Sequence, residues 1–118
     1  MKLLDLAPHI KRTVKFLSVC RDPTTFRQVL RTAPHTVLKL ICDASLNALK
    51  GDVVLGEAER GHLRKYRESI IFLTSKKASF ARKRALLLSD KRNVGGYYFV
   101  PALLTAVLTS LGSRLFSG

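Results

Sequence analysis

Apolar residues recur at three- and four-residue intervals along most of this chain, and this spacing limits its possible folds more than any other feature of the sequence. The clearest case runs from Pro34 to Lys50, where Val37, Leu38 and Ile41 begin one continuous apolar stripe. Such a stripe indicates an amphipathic helix with one face in a core. The alternation typical of strands does not occur in the sequence. We therefore predict an all-α fold.

Proline, glycine and capping residues divide this pattern into short helices. Pro8 suits the first turn of a first helix, and Asp22-Pro23 ends that helix and caps a second one. Pro34 ends the second helix, and Gly51 ends the third. A long fourth helix should follow, and the stretch TSKKAS should separate it from a further helix beginning near Phe80. The pattern predicts a small orthogonal bundle of four to five short helices plus a C-terminal apolar helix.

The C-terminal stretch predicts an apolar helix attached through two glycines. Residues 1–92 form the predicted basic helical bundle, residues 93–96 a Gly-Gly linker, and residues 97–118 an amphipathic apolar helix. The 17 uncharged residues 97–113 would span about 25 Å as a helix, whereas a hydrocarbon core is ~30 Å thick. Three roles fit this helix: packing into the bundle, insertion at a membrane interface, and docking on a partner. The last two would use Tyr97, Tyr98, Phe99, Leu104, Val107, Leu108, Leu111 and Leu115.

Positive charge is concentrated in residues 60–92, which we call the basic segment. The chain has 21 Lys and Arg against 8 Asp and Glu, a net charge of +13, and the basic segment alone supplies +9. Such an excess of one sign is typical of a surface that binds phosphates. We expect nucleic-acid contacts from Arg60, Arg64, Lys65, Arg67, Lys76, Lys77, Arg82, Lys83, Arg84, Lys91 and Arg92.

The sequence favours phosphate contact over base recognition. The helix after the stretch TAPHT is mostly apolar, unlike the polar recognition helix of a helix-turn-helix protein. The spacing of Tyr66, Phe72 and Phe80 suggests core positions rather than a stacking platform. The sequence leaves open whether the nucleic acid is DNA or RNA.

Nothing in the sequence predicts catalysis or a cofactor. His9, His35 and His62 are far apart, and none lies at metal-ligand spacing from Cys20 or Cys42. The pair Gly95-Gly96 lacks the Lys-Ser/Thr and the preceding strand of a phosphate-binding loop. We expect a non-enzymatic protein without a small-molecule substrate. The two cysteines, set in apolar segments, are expected to be reduced thiols in a reducing compartment.

The order of these segments resembles small basic proteins of Polinton (Maverick) elements and their adintovirus-like relatives. The shared features are an apolar helix ending in Asn47, Leu49, Lys50 and Gly51, a basic helix, a cationic cluster at 79–84, and Gly-Gly before an apolar tail. This resemblance covers residues 29–116. It implies a virion core or minor capsid role, in a virion or the host nucleus, with nucleic acid and capsid protein as partners.

The resemblance also implies a possible protease site at Gly95-Gly96. Adenovirus-type cysteine proteases prefer an apolar residue, any residue, and then Gly-Gly, whereas this chain has Asn93 at the apolar position. Two alternatives stand beside the virion role. One is a membrane-active or membrane-anchored adaptor that uses the C-terminal helix and anionic lipids, and the other is a cellular helix-turn-helix regulator.

Overall fold

The computed structural model describes residues 7–50, 57–92 and 94–116, and it confirms the predicted all-α class. Within these ranges the chain is helical without strands. A 3-10 turn at Gly96–Tyr98 precedes the last helix. The α-helices are α1 (Pro8–Val19), α2 (Pro23–Thr32), α3 (His35–Lys50), α4 (Glu57–Arg64), α5 (Arg67–Thr74), α6 (Phe80–Leu87) and α7 (Val100–Phe116).

Local sequence signals explain where several helices begin. Pro8 and Pro23 occupy the first turns of α1 and α2, where a missing N–H costs nothing. The Asp22 carboxylate accepts a hydrogen bond from the Thr25 backbone N–H at 3.1 Å, and the Thr25 hydroxyl donates to the same carboxylate. Ser79 caps α6 by accepting from the Arg82 N–H at 3.2 Å. These side chains satisfy donors that a helix leaves unpaired at its N-terminus.

The predicted long fourth helix is interrupted in the structure. Tyr66 has a backbone conformation of φ −110° and ψ 18°, so the chain forms α4 and α5 instead of one helix. The Tyr66 N–H donates to the Leu63 carbonyl at 3.0 Å across this break. The expected stripe is nevertheless buried, and its members are Leu63, Tyr66, Ile70 and Leu73. The break lets the Tyr66 ring stack on Phe99, with 5.5 Å between the ring centroids.

Helix α3 lies at the centre of the bundle and packs against α1, α5 and α7. Its predicted stripe is buried, and Val37 and Ile41 are completely inaccessible to solvent. Ser45 is also buried, and its hydroxyl donates to the Ile41 carbonyl at 2.9 Å. This bond satisfies a polar group that would otherwise destabilise the interior.

Helix α7 belongs to the same core as the helices before it, so the structure shows the first of the three roles left open for this segment, packing into the bundle. It packs mainly on α1 and α3, and Phe99, Leu103 and Leu104 are fully buried. A chain of this size buries limited apolar surface, so an additional apolar helix adds substantially to its core.

The glycines before α7 are tightly packed, which differs from the expectation of a flexible linker. Gly95 and Gly96 are buried. A Cβ added at Gly95 would lie 2.0 Å from the Ser89 carbonyl oxygen, and one at Gly96 would lie 2.8 Å from the Leu87 Cδ2. These positions need glycine because the backbone of 95–96 lies directly against the end of α6. Asn93 lies outside the described residues.

Candidate nucleic-acid interface

Nine of the eleven cations predicted to bind nucleic acid are exposed. They come from α4, from the break between α4 and α5, from α5, from the turns on either side of α6, and from α6 itself. The acidic residues Glu68 and Asp90 in the same segment are exposed too, so they reduce its positive charge without removing it. The exposed cations are Arg60, Arg64, Lys65, Arg67, Lys76, Lys77, Arg82, Lys91 and Arg92.

Three of these arginines surround one cleft. Arg60 and Arg64 from α4 and Arg67 from α5 line a cavity of about 230 Å³ between these helices and the end of α3. Its apolar lining includes Leu49, whose side chain is 41% exposed. Three arginines that line one cleft concentrate positive potential where an anion can approach.

Arg82 lies on the surface against α5. Its guanidinium carbon is 5.6 Å from the centroid of the Phe72 ring. Guanidiniums pack on aromatic rings while their N–H groups stay accessible to solvent. Arg82 therefore keeps donors for a phosphate and has its side chain held in place by α5.

Arg84 has a structural role, contrary to the expectation that it contacts phosphate. One terminal nitrogen donates to the Leu30 carbonyl at 2.6 Å and to the Arg31 carbonyl at 3.3 Å, and the other donates to the Ala33 carbonyl at 3.0 Å. These carbonyls end α2, where a helix leaves its acceptors unpaired and its dipole is negative. Arg84 thus holds α6 against the C-terminus of α2.

Lys83 also differs from the expected surface cation. Its side chain is only 6% exposed, and its ammonium lies 5.0 Å from the centroid of the Phe80 ring. Burial raises the pKa of the neighbouring Cys42 thiol above its ordinary value of 9.0, and the charge of Lys83 partly offsets this increase. A protonated, buried thiol is a poor nucleophile and metal ligand.

The side chains predicted to bind a membrane or partner have three different placements. Phe99, Leu104 and Val107 lie in the core, so they are not available to a membrane in this fold. Tyr97, Tyr98 and Leu108 are partly buried against that core. The backbones of Leu111 and Leu115 lie in α7, whereas their side chains are outside what the structure describes. Among the described helices, none combines the length and hydropathy needed to cross a bilayer.

The structure also forms a cavity that the sequence did not predict. This tyrosine cavity has a volume of about 470 Å³ and is bordered by the end of α1, the 3-10 turn and the first turns of α7. Tyr66, Tyr97 and Tyr98 line it together with Arg21. The Tyr97 hydroxyl donates to the Arg21 carbonyl at 2.8 Å. No sequence spacing could reveal this cavity, because Tyr66 and Tyr97 are brought together only by tertiary packing.

No group of three or more His, Cys, Asp or Glu side chains in the described part of the chain is placed to hold a metal ion. Cys20 and Cys42 are both free thiols. Comparison with protein-family models, curated proteins and solved structures finds no match to this chain.

Proposed function

We propose that this chain is a non-enzymatic structural protein that binds the phosphate backbone of nucleic acid without reading its base sequence. The observation that carries this proposal is the exposure of nine cations in one segment of 33 residues, with Glu68 and Asp90 as its only acidic residues. Exposed Lys and Arg attract phosphates and release the counterions condensed on nucleic acid. This effect does not depend on the base sequence.

The bundle geometry supports backbone contact in preference to groove reading. Helix α3, the candidate for a recognition helix, has its long apolar stripe in the core and packs against three other helices. The exposed cations lie instead on short helices and turns. Contacts from such positions fix a protein on the backbone, whereas base recognition requires side chains that reach the base edges in a groove.

The biological setting of this binding rests on the resemblance to Polinton and adintovirus-like basic proteins. A virion core or minor capsid protein of that kind condenses nucleic acid or links it to the shell. High positive charge without base recognition suits this task, because packaging must accept any sequence. We place the chain in a virion or the host nucleus on this basis.

The cleft arginines provide a direct test. Replacing Arg60, Arg64 and Arg67 together with Gln should weaken binding to unrelated duplexes equally, and it should reduce the salt slope by up to about 2.7. A matched variant with Lys11, Arg12 and Lys39 changed to Gln loses the same charge from α1 and α3. Binding should be measured for both variants by fluorescence anisotropy over a salt series. Equal slopes in the two variants would refute a phosphate interface on α4 and α5.

A further inference from the structure

The tyrosine cavity offers an aromatic surface on a protein with few aromatic residues. All three tyrosines of the chain line it. Tyr97 and Tyr98 meet edge to face with centroids 5.4 Å apart, and Tyr66 is held by its stacking on Phe99. The volume of about 470 Å³ lies within the roughly 300–1,000 Å³ of clefts that hold small organic groups.

One cation lines this cavity, and others lie near its tyrosines along the chain or in an adjoining turn. Arg21 lines the cavity itself and is exposed. Lys65 is the exposed chain neighbour before Tyr66, whereas Arg67 after it lines the separate cleft between α4, α5 and the end of α3. The Tyr98 hydroxyl donates to the Asp90 carbonyl at 3.5 Å, which brings the turn carrying Lys91 and Arg92 toward Tyr98. The Ser69 hydroxyl donates to the Val94 carbonyl at 3.2 Å and holds the same turn against α5.

Rings beside cations match the chemistry of an unpaired nucleotide. Bases stack on aromatic side chains irrespective of sequence, because every base has a π-face, while Lys and Arg bind the adjoining phosphates. A base inside an intact duplex is already stacked and paired, so it cannot enter such a cavity without being flipped out.

We infer that the tyrosine cavity binds an unstacked nucleobase, so that the chain prefers single-stranded to double-stranded nucleic acid. This inference rests on the proposed function and deepens it, because it assigns a substrate class to the same basic surface. The aromatic contact remains independent of base sequence. Stacking on the tyrosines adds a contribution to the binding free energy that phosphate contacts alone cannot supply.

The composition of the chain makes tyrosine fluorescence an internal probe of the tyrosine cavity. The chain has no Trp, and its three Tyr all lie at the cavity, so intrinsic fluorescence reports on this site alone. The full chain should be titrated with short oligothymidylate, with an abasic oligomer of equal length, and with a duplex of equal length. We expect oligothymidylate to quench the tyrosine emission and to bind about 5- to 150-fold more tightly than the abasic oligomer. The duplex should bind without comparable quenching.

Two substitutions and their controls separate stacking from folding. Tyr98→Leu should remove most of the preference for oligothymidylate over the abasic oligomer, whereas Tyr98→Phe, which keeps the ring, should retain it. Ala102 lines the cavity, so Ala102→Phe should fill it and reduce the same preference without removing a tyrosine. Ala81→Phe, on the exposed surface of α6, is the matched control and should leave the preference unchanged.

The outcomes distinguish this inference from the proposed function. Equal affinity for the base-bearing and abasic oligomers overturns the inference alone, since charge then accounts for all binding. A preference that survives both Tyr98→Leu and Ala102→Phe also overturns it, because the base then binds elsewhere. Failure of all three nucleic acids to bind overturns the proposed function and the inference together.

Discussion

Arg82 and Arg84 lie two positions apart on α6, and their guanidiniums have opposite surroundings. Arg82 is exposed beside the Phe72 ring, while Arg84 donates three hydrogen bonds to carbonyls at the end of α2. The first arrangement leaves donors for a phosphate, and the second uses donors to join two helices. Two arginines of equal charge on the same helix therefore have different roles.

This contrast predicts separate effects on stability and on binding. Arg84→Gln should lower the free energy of unfolding by about 1.5–3 kcal/mol, because charge-assisted bonds to carbonyls at the end of α2, two of them partly buried, are lost. Arg82→Gln should change it by no more than about 0.5 kcal/mol and should weaken nucleic-acid binding. Urea unfolding and anisotropy titration of the two variants measure both quantities. Equal unfolding free energies for the two variants would show that Arg84 does not hold α2.

We expect the Asp22 carboxylate to stabilise the fold by an amount that depends on pH. The hydrogen bonds from the Thr25 hydroxyl and backbone N–H lower the pKa of the Asp22 carboxyl below its ordinary value of 3.8. Its contribution is therefore fully present above pH 3.8 and is lost as the pH falls through the lower folded-state pKa. Asp22→Ala should reduce the melting temperature at neutral pH.

Thermal melts of wild type and Asp22→Ala at decreasing pH provide the measurement. The difference in melting temperature should be constant down to about pH 4 and should then shrink, because protonation removes the charged acceptor in the wild type. A difference that persists unchanged through strongly acidic pH would mean that Asp22 acts through packing and not through its charged carboxylate.

At the level of whole elements, the connection between α6 and α7 is closely packed at Gly95. A side chain at this position would meet the Ser89 carbonyl oxygen, which is backbone and cannot move away easily. A Cβ added at Gly61, which lies inside α4, would meet no atom within 4 Å beyond its chain neighbours and its own helix backbone. Substitutions at the two glycines therefore form a matched pair for which we expect opposite effects on stability.

Gly95→Ala should destabilise the chain, because the turn before α7 must shift and disturb the buried residues that follow. Gly61→Ala should stabilise it by about 0.5–1 kcal/mol, because alanine restricts the unfolded chain and favours the helix. Chemical denaturation of the two variants measures these changes in the free energy of unfolding. If Gly95→Ala proved as stable as wild type, the joint before α7 would be as flexible as its sequence alone suggests.

The helices themselves could largely be predicted from the sequence, because each depends on local signals. The stripe of α3, the cap at Asp22 and the breaks at Pro34 and TSKKAS all act within a few residues. The break at Tyr66 was missed because the periodicity continues across it, and only the contact with Phe99 accounts for the position of the ring. The placement of α7 stayed open between the bundle, a membrane and a partner, because an apolar stripe does not specify which surface it meets.

At the scale of the whole molecule, the charge of the candidate site could be predicted but its geometry could not. The excess of Lys and Arg is a property of composition. The burial of Lys83, the capping role of Arg84 and the formation of the tyrosine cavity result from contacts between residues far apart in sequence. Such contacts leave no periodic signal along the chain.

The central claim is that exposed cations bind phosphates irrespective of base sequence, and a salt titration tests it most directly. Binding of the full chain should be measured for two unrelated duplexes of equal length. With six or more phosphate contacts, affinity for both should fall about 10³- to 10⁵-fold between 50 and 200 mM salt, along parallel lines of log affinity against log salt. A fall of tenfold or less, or strong binding to one duplex alone that persists at the higher salt, would contradict the claim.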